Sequence, residues 1–302
     1  MKTVPFLRSL CVALCLSFVP SVLAAERLKP FVLASVVEAN LDQAVTDVRA
    51  RLVDNDFEIL GEYRPYESAA VVIATNDELK SVSQEDRLAG FASTIRVGFS
   101  ENEQGVQVSY LNPEYLAAAY RLESDLEATR TALEAGLGAQ EVYGSSKGLT
   151  EKKLRKYHYT FGMEYFDDPY KLGSYESQDA ALAAVEAGLA ANTQGVGHLY
   201  RLDLPRENAS VFGVSMGPGS EDDKYRDDGF QMSIVDFGDI KSTAYLPYQI
   251  LVVDGEVLAL HMRFRMAVHF PDLSMMGKHS FMTLMPSPKA IEKALKGAIA
   301  GE

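Results

Sequence analysis

The sequence predicts an α+β fold made of two tandem modules, each an antiparallel sheet with two helices packed on one face. Two observations lead to this prediction. The second half of the chain repeats the pattern of the first half, and in each half a run of strand-like segments lies between two helical segments. Strands in a row with a helix at each end of the run are typical of α+β domains.

An internal repeat predicts that there are two modules. The segment LDQAVTDVRARLVDN, which starts at Leu41, matches QDAALAAVEAGLAAN, which starts at Gln178, and Tyr63 matches Tyr200 at the same shift. Matches that keep their order along both halves indicate a repeated structural unit. We therefore expect a first module at 25–140, a linker with an aromatic arm at 141–167, and a second module at 168–302.

Each module is predicted to begin with a short strand and an amphipathic helix. In the first of these helices, apolar residues from Leu41 to Leu52 recur at helical spacing. Asp254-Gly255, between two apolar runs, is typical of a two-residue hairpin turn. The predicted strands are 31–37, 57–63, 69–75, 93–99 and 105–110 in the first module and 170–175, 196–203, 209–216, 230–236, 246–253 and 256–269 in the second, with closing helices at 123–136 and 288–300.

Two segments resemble a known family. GVQVSYLNPEYLA, residues 105–117, and the run LPYQILVVDGEV are similar to the family called domain of unknown function 302. The resemblance covers most of both halves and is clearest from Asp42 to Leu137. It implies a small α+β module, often likened to the TATA-box-binding-protein fold, and it implies no catalytic residues. The second module departs from the pattern at 217–230 and 271–287, where we expect any function particular to this protein.

The first 24 residues predict a signal peptide. Lys2 and Arg8 precede a short apolar stretch, and a small-x-small pattern ends at Ala24. Cleavage near Ala24 changes the formal net charge from −13 to −15 and removes Cys11 and Cys15, so we expect a periplasmic or secreted protein without disulfides. The excess of acidic residues disfavours nucleic-acid binding, and no later apolar stretch is long enough to span a membrane.

The chain carries no familiar catalytic or cofactor motif. There is no GxSxG, no Walker loop, no HExxH and no CxxCH in the sequence. We therefore predict a non-catalytic binding protein without a cofactor, which binds a small anionic molecule or a protein partner. Two alternatives stay open: a periplasmic copper-handling protein that uses segment 275–285, and an enzyme with its site in the cleft between the modules.

The stretch LHMRFRMAVHF, residues 260–270, supplies the candidate site for an anion. On a strand, where side chains alternate between two faces, His261, Arg263, Arg265 and His269 would share one face. Two arginines at positions i and i+2 would then lie roughly 7 Å apart and could hold a carboxylate or phosphate between them. The alternative is an ordinary solvated sheet face whose arginines pair with acids of the same protein.

The copper alternative depends on a loop rich in methionine and histidine. Thioethers favour Cu(I), and imidazole binds copper in either oxidation state. The other use of methionine at such positions is adaptable packing. The candidate ligands are Met275, Met276, His279, Met282 and Met285.

The aromatic stretch KYHYTFGMEYFDDPY, residues 156–170, has no counterpart in the first module. It is interpreted as a strand or arm that packs one module on the other, because alternating aromatic residues are typical of half-buried strands. The alternative is an aromatic wall of a ligand cleft between the modules.

Overall fold

The structure of the protein is a computed structural model, which describes residues 26–192, 194–218 and 221–300. The predicted signal peptide and its cleavage position near Ala24 lie outside the described residues. The predicted α+β class is confirmed: antiparallel sheets alternate with helices in both halves of the chain.

The first unit begins with a strand and a helix, as predicted. Its elements are β1 (Arg27–Leu28), β2 (Phe31–Val37), α1 (Leu41–Asp54), β3 (Glu58–Tyr66), β4 (Ala69–Thr75), α2 (Asp77–Ser81), β5 (Ile95–Asn102), β6 (Gly105–Leu111), α3 (Pro113–Ala119) and α4 (Glu127–Leu137). The connecting segment contains β7 (Glu141–Tyr143), β8 (Leu149–Thr150) and α5 (Glu151–Leu154).

The second unit follows the same plan. Its elements are β9 (Tyr170–Ser174), α6 (Gln178–Ala191), β10 (Val196–Asp203), β11 (Ala209–Met216), α7 (Asp228–Val235), β12 (Tyr248–Val253), β13 (Glu256–Ala259), α8 (Met262–His269) and α9 (Ser287–Ala300). Helix α7 lies between the third and fourth strands, and α8 follows the last strand, at the positions that α2 and α3 occupy in the first unit.

The two main sheets have the same strand order. Among the described residues, the first sheet runs β3-β4-β5-β6-β2-β7 and the second runs β10-β11-β12-β13-β9, with every neighbouring pair antiparallel. The strand that precedes the first long helix, β2 or β9, therefore lies beside the last strand of its unit, β6 or β13. Strand β7, from the segment predicted as a linker, extends the first sheet beyond this shared pattern.

Each sheet carries its two helices on one face. Helix α1 starts at the N-cap Asn40, whose side chain accepts a hydrogen bond from Gln43 N, and its apolar face from Leu41 to Leu52 is buried. Helix α6 starts in the same way at Ser177. Helix α1 packs beside α4, and α6 packs beside α9, so the opening and closing helices of each unit meet over the sheet.

Two predicted strands of the second unit were wrong. Residues 230–236 were predicted as a strand, but α7 covers Asp228–Val235 because Asp227 caps it, with its side chain accepting from Phe230 N at 2.6 Å. The strand predicted at 256–269 ends at Ala259, and α8 begins at Met262.

Each unit packs one 3-10 turn against the sheet of the other unit. A 3-10 turn at Thr243–Tyr245 of the second unit lies on β5, where a side chain at Gly98 would come within 2.4 Å of Ala244 N. A 3-10 turn at Ala89–Ala92 of the first unit lies on β11 and β12, with Gly90 against Leu251. Each turn directly precedes the fourth strand of its own unit.

This packing buries both faces of the central strands. Every residue of β4 and β12 is buried, which explains why AAVVIAT and YQILVV are almost uninterrupted apolar runs. One continuous apolar core extends through both units. In the part of the chain that the structure describes, no helix is long and apolar enough to cross a membrane.

Candidate functional site

The four residues predicted to bind an anion do not share a sheet face. His261 is the N-cap of α8, its side chain accepting from Arg263 N, and the other three residues lie on that helix. Residues at positions i and i+2 point in different directions on a helix. Arg263 therefore points away from the core and pairs with Glu164, whereas Arg265 and His269 are buried. The geometric reason for predicting an anion site here was wrong.

Arg265 is buried and is held by backbone oxygens and aromatic rings. Its guanidinium donates hydrogen bonds to the carbonyl oxygens of Tyr245 and, at 2.8 Å, of Pro247. The same group lies 3.9 Å from the ring centroid of Tyr245 and 4.4 Å from that of Tyr248. This arginine ties α8 to the turn before β12.

His269 belongs to the same buried layer. Its Nδ1 lies 2.7 Å from the carbonyl oxygen of Arg265, one helical turn earlier. Burial lowers the pKa of His269 well below its usual range, and the charges of Arg96 and Arg265 lower it further. The imidazole is thus a neutral part of the core.

The aromatic arm contacts both units. Phe166 stacks on Tyr120 of the first unit at a centroid distance of 5.0 Å and also contacts Phe264 of α8. The hydroxyl of Tyr157 donates to the carbonyl oxygen of Ala267 at 2.8 Å. These contacts support the interpretation of the segment as an arm between the modules. Its backbone at 157–166 forms turns and bends, and not the strand that was the other form predicted for it.

A cleft lies between the two units. It has a volume of about 420 Å³. The first unit contributes the ends of β3 and β5, and the second contributes α7 and the loop after it. Its lining residues are Tyr66, Ser68, Ser100 and Glu101 from the first unit and Gly229, Met232, Ser233, Asp236 and Lys241 from the second.

The loop after α7 is fixed to the first unit by a double amide contact. Gln107 of β6 donates from Nε2 to the carbonyl oxygen of Lys241 at 2.7 Å and accepts from Lys241 N at 2.8 Å. The hydroxyl of Tyr143 donates to the same carbonyl oxygen at 2.6 Å. Ser100 and Thr243 share a further hydrogen bond between their hydroxyls at 2.5 Å. The floor of the cleft is therefore preorganised.

Asp236, directly after α7, has an incomplete set of partners. Its Oδ1 accepts from Ser242 N at 2.8 Å, but its Oδ2 is buried and has no hydrogen-bond partner among the described residues. Burial raises the pKa of Asp236 to about 6, while hydrogen bonds from Ser242 and the charge of Lys241 oppose the rise. An unpaired carboxylate oxygen in such a place is costly unless a proton or another donor reaches it.

The groups around Asp236 leave its Oδ2 without a hydrogen-bond donor among the described residues. Burial, together with the charge of Asp236, raises the pKa of Tyr66 to about 12, so this phenol stays protonated. Lys241 directs its ammonium to the backbone carbonyl oxygen of Asp236 at 3.1 Å. Glu101 adds a second carboxylate to the lining.

Asp236 also borders a second cleft of about 310 Å³. This cleft lies where the loop after α7 meets the segment after α8. Its lining includes Tyr143, Val235, Phe237, Ile240, Phe270, Asp272 and Leu273. One carboxylate thus stands in the wall of two neighbouring clefts.

Acidic side chains also line a further cleft. A cleft of about 250 Å³ on the first unit is lined by Glu26, Glu114, Asp125, Glu151 and Arg155, among others. Over the described ranges, however, no three His, Cys, Asp or Glu residues are grouped so that they could hold a metal ion.

Only an indirect indication of this site is present in the sequence. The departure of the second module from the repeat at 217–230 reaches the start of α7, and Asp236 follows that helix. No recognisable motif surrounds Asp236 in the stretch IVDFGD, so its burial against the first unit could not be foreseen. Comparison with models of known protein families and with curated proteins finds no match for this chain.

Proposed function

We propose that this is a non-catalytic binding protein that holds a small ligand carrying a protonated amine in the cleft between its two units. The observation that carries the proposal is the carboxylate of Asp236, which lines the cleft and whose buried Oδ2 has no hydrogen-bond partner among the described residues. An ammonium group supplies the donors that this oxygen lacks, in a charge-assisted hydrogen bond.

The charges of the lining favour a cation over the anion that the sequence predicted. Asp236 and Glu101 are acidic, and the one basic residue in the lining, Lys241, donates to a backbone oxygen. The arginines that suggested an anion lie elsewhere, in the core or in an ion pair. The acidic net charge of the chain also attracts cationic ligands from a distance.

The composition of the cleft supports binding without catalysis. Its lining residues include neither histidine nor cysteine, and the hydroxyl of Ser100 is engaged by Thr243. Tyr66 keeps its proton because its pKa is about 12. Nucleophilic catalysis needs an activated nucleophile beside a base, and this set of side chains does not offer that pair. Export to the periplasm stays part of the proposal on the strength of the leader sequence.

Calorimetric titration with ethanolamine, putrescine and spermidine tests the proposal, with succinate as a probe of opposite charge. We expect saturable binding of at least one amine and none of succinate. The variant Asp236→Asn removes the charge but keeps the shape, and should weaken amine binding by about 10-fold or more, as loss of a charged hydrogen bond does. Binding should also strengthen as the pH rises through about 6, where Asp236 loses its proton.

The matched control is Asp239→Asn, which changes the charge equally at an exposed position of the same loop. Its affinity for amines should equal that of the unchanged protein. Equal amine affinity in the Asp236 variant, or tight binding of succinate alone, would overturn the proposal.

A further inference from the structure

The loop between α8 and α9 exposes four methionines. The exposed fractions are 42% for Met275, 78% for Met276, 51% for Met282 and 66% for Met285. Methionine in an ordinary packing role is buried, as Met262 and Met266 of α8 are. Packing therefore does not account for these four side chains.

Hydrogen bonds within the loop bring its two ends together. Ser274 and Ser280 form an isolated parallel bridge, and Phe281 N donates to the carbonyl oxygen of Ser274 at 3.0 Å. Met282 N donates to the carbonyl oxygen of Met275 at 3.3 Å, so these two methionines are neighbours across the loop. Met285 N donates to the carbonyl oxygen of Met282 at 3.3 Å, which places the third methionine one turn further on.

His279 is oriented by the backbone of the neighbouring helix. Its Nδ1 lies 3.0 Å from the carbonyl oxygen of Ile234 in α7, and its ring packs on Phe237 at a centroid distance of 4.7 Å. A carbonyl oxygen only accepts, so Nδ1 carries the proton and Nε2 keeps its lone pair. A histidine that ligates a metal is commonly fixed in this way, with its other ring nitrogen donating to a carbonyl.

We infer that the loop is a Cu(I) site, in which Nε2 of His279 and thioethers of Met275, Met282 and Met285 hold the ion. These ligands are neutral and mostly soft, and such a set favours Cu(I) over Zn(II), Mg(II) or Ca(II). No redox step is involved, since the ion binds as Cu(I). The site is separate from the cleft at Asp236 and does not depend on the ligand proposed there.

Anaerobic titration with Cu(I), in competition with a chromophoric chelator, measures the affinity of the full chain. Cys11 and Cys15 are replaced with serine in every preparation, so that the leader thiols do not compete. We expect one Cu(I) per chain, with the triple variant Met275→Leu, Met282→Leu, Met285→Leu binding at least about 10-fold more weakly. The control Met163→Leu changes a methionine outside the loop and should bind Cu(I) unchanged.

A second measurement distinguishes lost ligands from lost structure. Leucine keeps the bulk of each exposed methionine, so the triple variant should unfold at the same temperature as the parent. On addition of Cu(I) or its redox-inert substitute Ag(I), the methyl NMR signals of the loop methionines should shift, while those of the buried Met262 and Met266 stay in place. Affinity unchanged in the triple variant, or shifts confined to methionines outside the loop, would overturn the inference.

The variant His279→Phe tests the histidine separately. Phenylalanine keeps an aromatic ring against Phe237 but has no nitrogen to offer. We expect Cu(I) binding to weaken by at least about 10-fold, because loss of a hydrogen-bond partner of a ligand alone costs about 10-fold to 100-fold in metal affinity. Unchanged affinity would remove His279 from the site and contradict the inference as stated.

Discussion

Asp228 is the most deeply buried acid at the contact between the units. Its Oδ2 accepts from the hydroxyl of Tyr63 in the first unit at 2.8 Å and from Met216 N at 3.1 Å. Burial raises the pKa of Asp228 from 3.8 to about 7, and the two hydrogen bonds and the charge of Arg265 only partly oppose it. It fastens the start of α7 to the first unit.

This raised pKa predicts a stability that falls with increasing pH. Between pH 4 and 7 the folded protein retains a proton on Asp228 that the unfolded chain has released, so unfolding becomes easier as the pH rises. The contribution is complete below the unfolded pKa and is lost above about pH 7. The variant Asp228→Asn has no titratable carboxyl group at this position, so its side chain stays neutral at every pH in this range.

Denaturant unfolding at several pH values should reveal the difference. The free energy of unfolding of Asp228→Asn, relative to the parent, should rise by about 2–4 kcal/mol between pH 4 and 8. If the two proteins show parallel profiles over that range, Asp228 does not hold a proton in the folded state.

For individual residues, the sequence indicated which side chains are unusual better than it indicated which groups they contact. It correctly singled out Arg263 and Arg265 as unusual in an acidic chain, but charge and spacing do not reveal which one is buried. That depends on Tyr245 and Tyr248, which lie in a different segment and enclose Arg265 only after folding. No local pattern carries that information.

Among the elements, the predicted helices and the predicted hairpin agree with the structure better than the strand predicted at 256–269 does. Helix α1 has one buried face, so its apolar spacing is visible in the sequence. The turn at Asp254-Gly255 has positive φ at both residues, as its composition indicates. Helix α8 is buried on almost every side, with Arg263 its one residue that is not buried, so it shows no amphipathic pattern and its apolar residues happen to alternate.

The helical geometry of α8 predicts opposite outcomes for its two arginines. Arg263→Gln removes a partly exposed ion pair with Glu164 and should change the free energy of unfolding by less than about 1 kcal/mol. Arg265→Gln removes donors from two buried carbonyl oxygens and leaves a gap between two tyrosines, and should cost about 2–4 kcal/mol. Chemical denaturation of both single variants measures this. Equal losses would mean that the two arginines share one environment, as on a strand face.

For the whole molecule, the shared strand order explains how the units fit together. Arg96 of β5 pairs with Ile73 in the same register position in which Gln249 of β12 pairs with Gly213. These equivalent residues meet across the contact, with Arg96 Nη1 donating to Gln249 Oε1 at 3.1 Å. The sequence repeat predicted similar units, but it could not predict that each would complete the core of the other.

At Gly98 the backbones of the two units approach closely, because a Cβ atom there would lie 2.4 Å from Ala244 N. A methyl group there would meet the backbone of Thr243 and Ala244, which cannot move without displacing the turn from β5. We expect Gly98→Ala to cost about 1–3 kcal/mol in thermal or chemical unfolding, as overpacking does, and to weaken amine binding in the cleft. Gly217→Ala, where the nearest atom is 3.8 Å away, is the control and should do neither. Equal stability of the two variants would contradict the close packing of the units.

The most direct test of the cleft as a ligand site is a crystal structure of the protein with the amine that binds most tightly. The predicted result is an ammonium nitrogen about 2.7–2.9 Å from Oδ2 of Asp236, the length of a charge-assisted hydrogen bond. The contradicting result is an amine bound at another surface while Oδ2 of Asp236 stays without a partner.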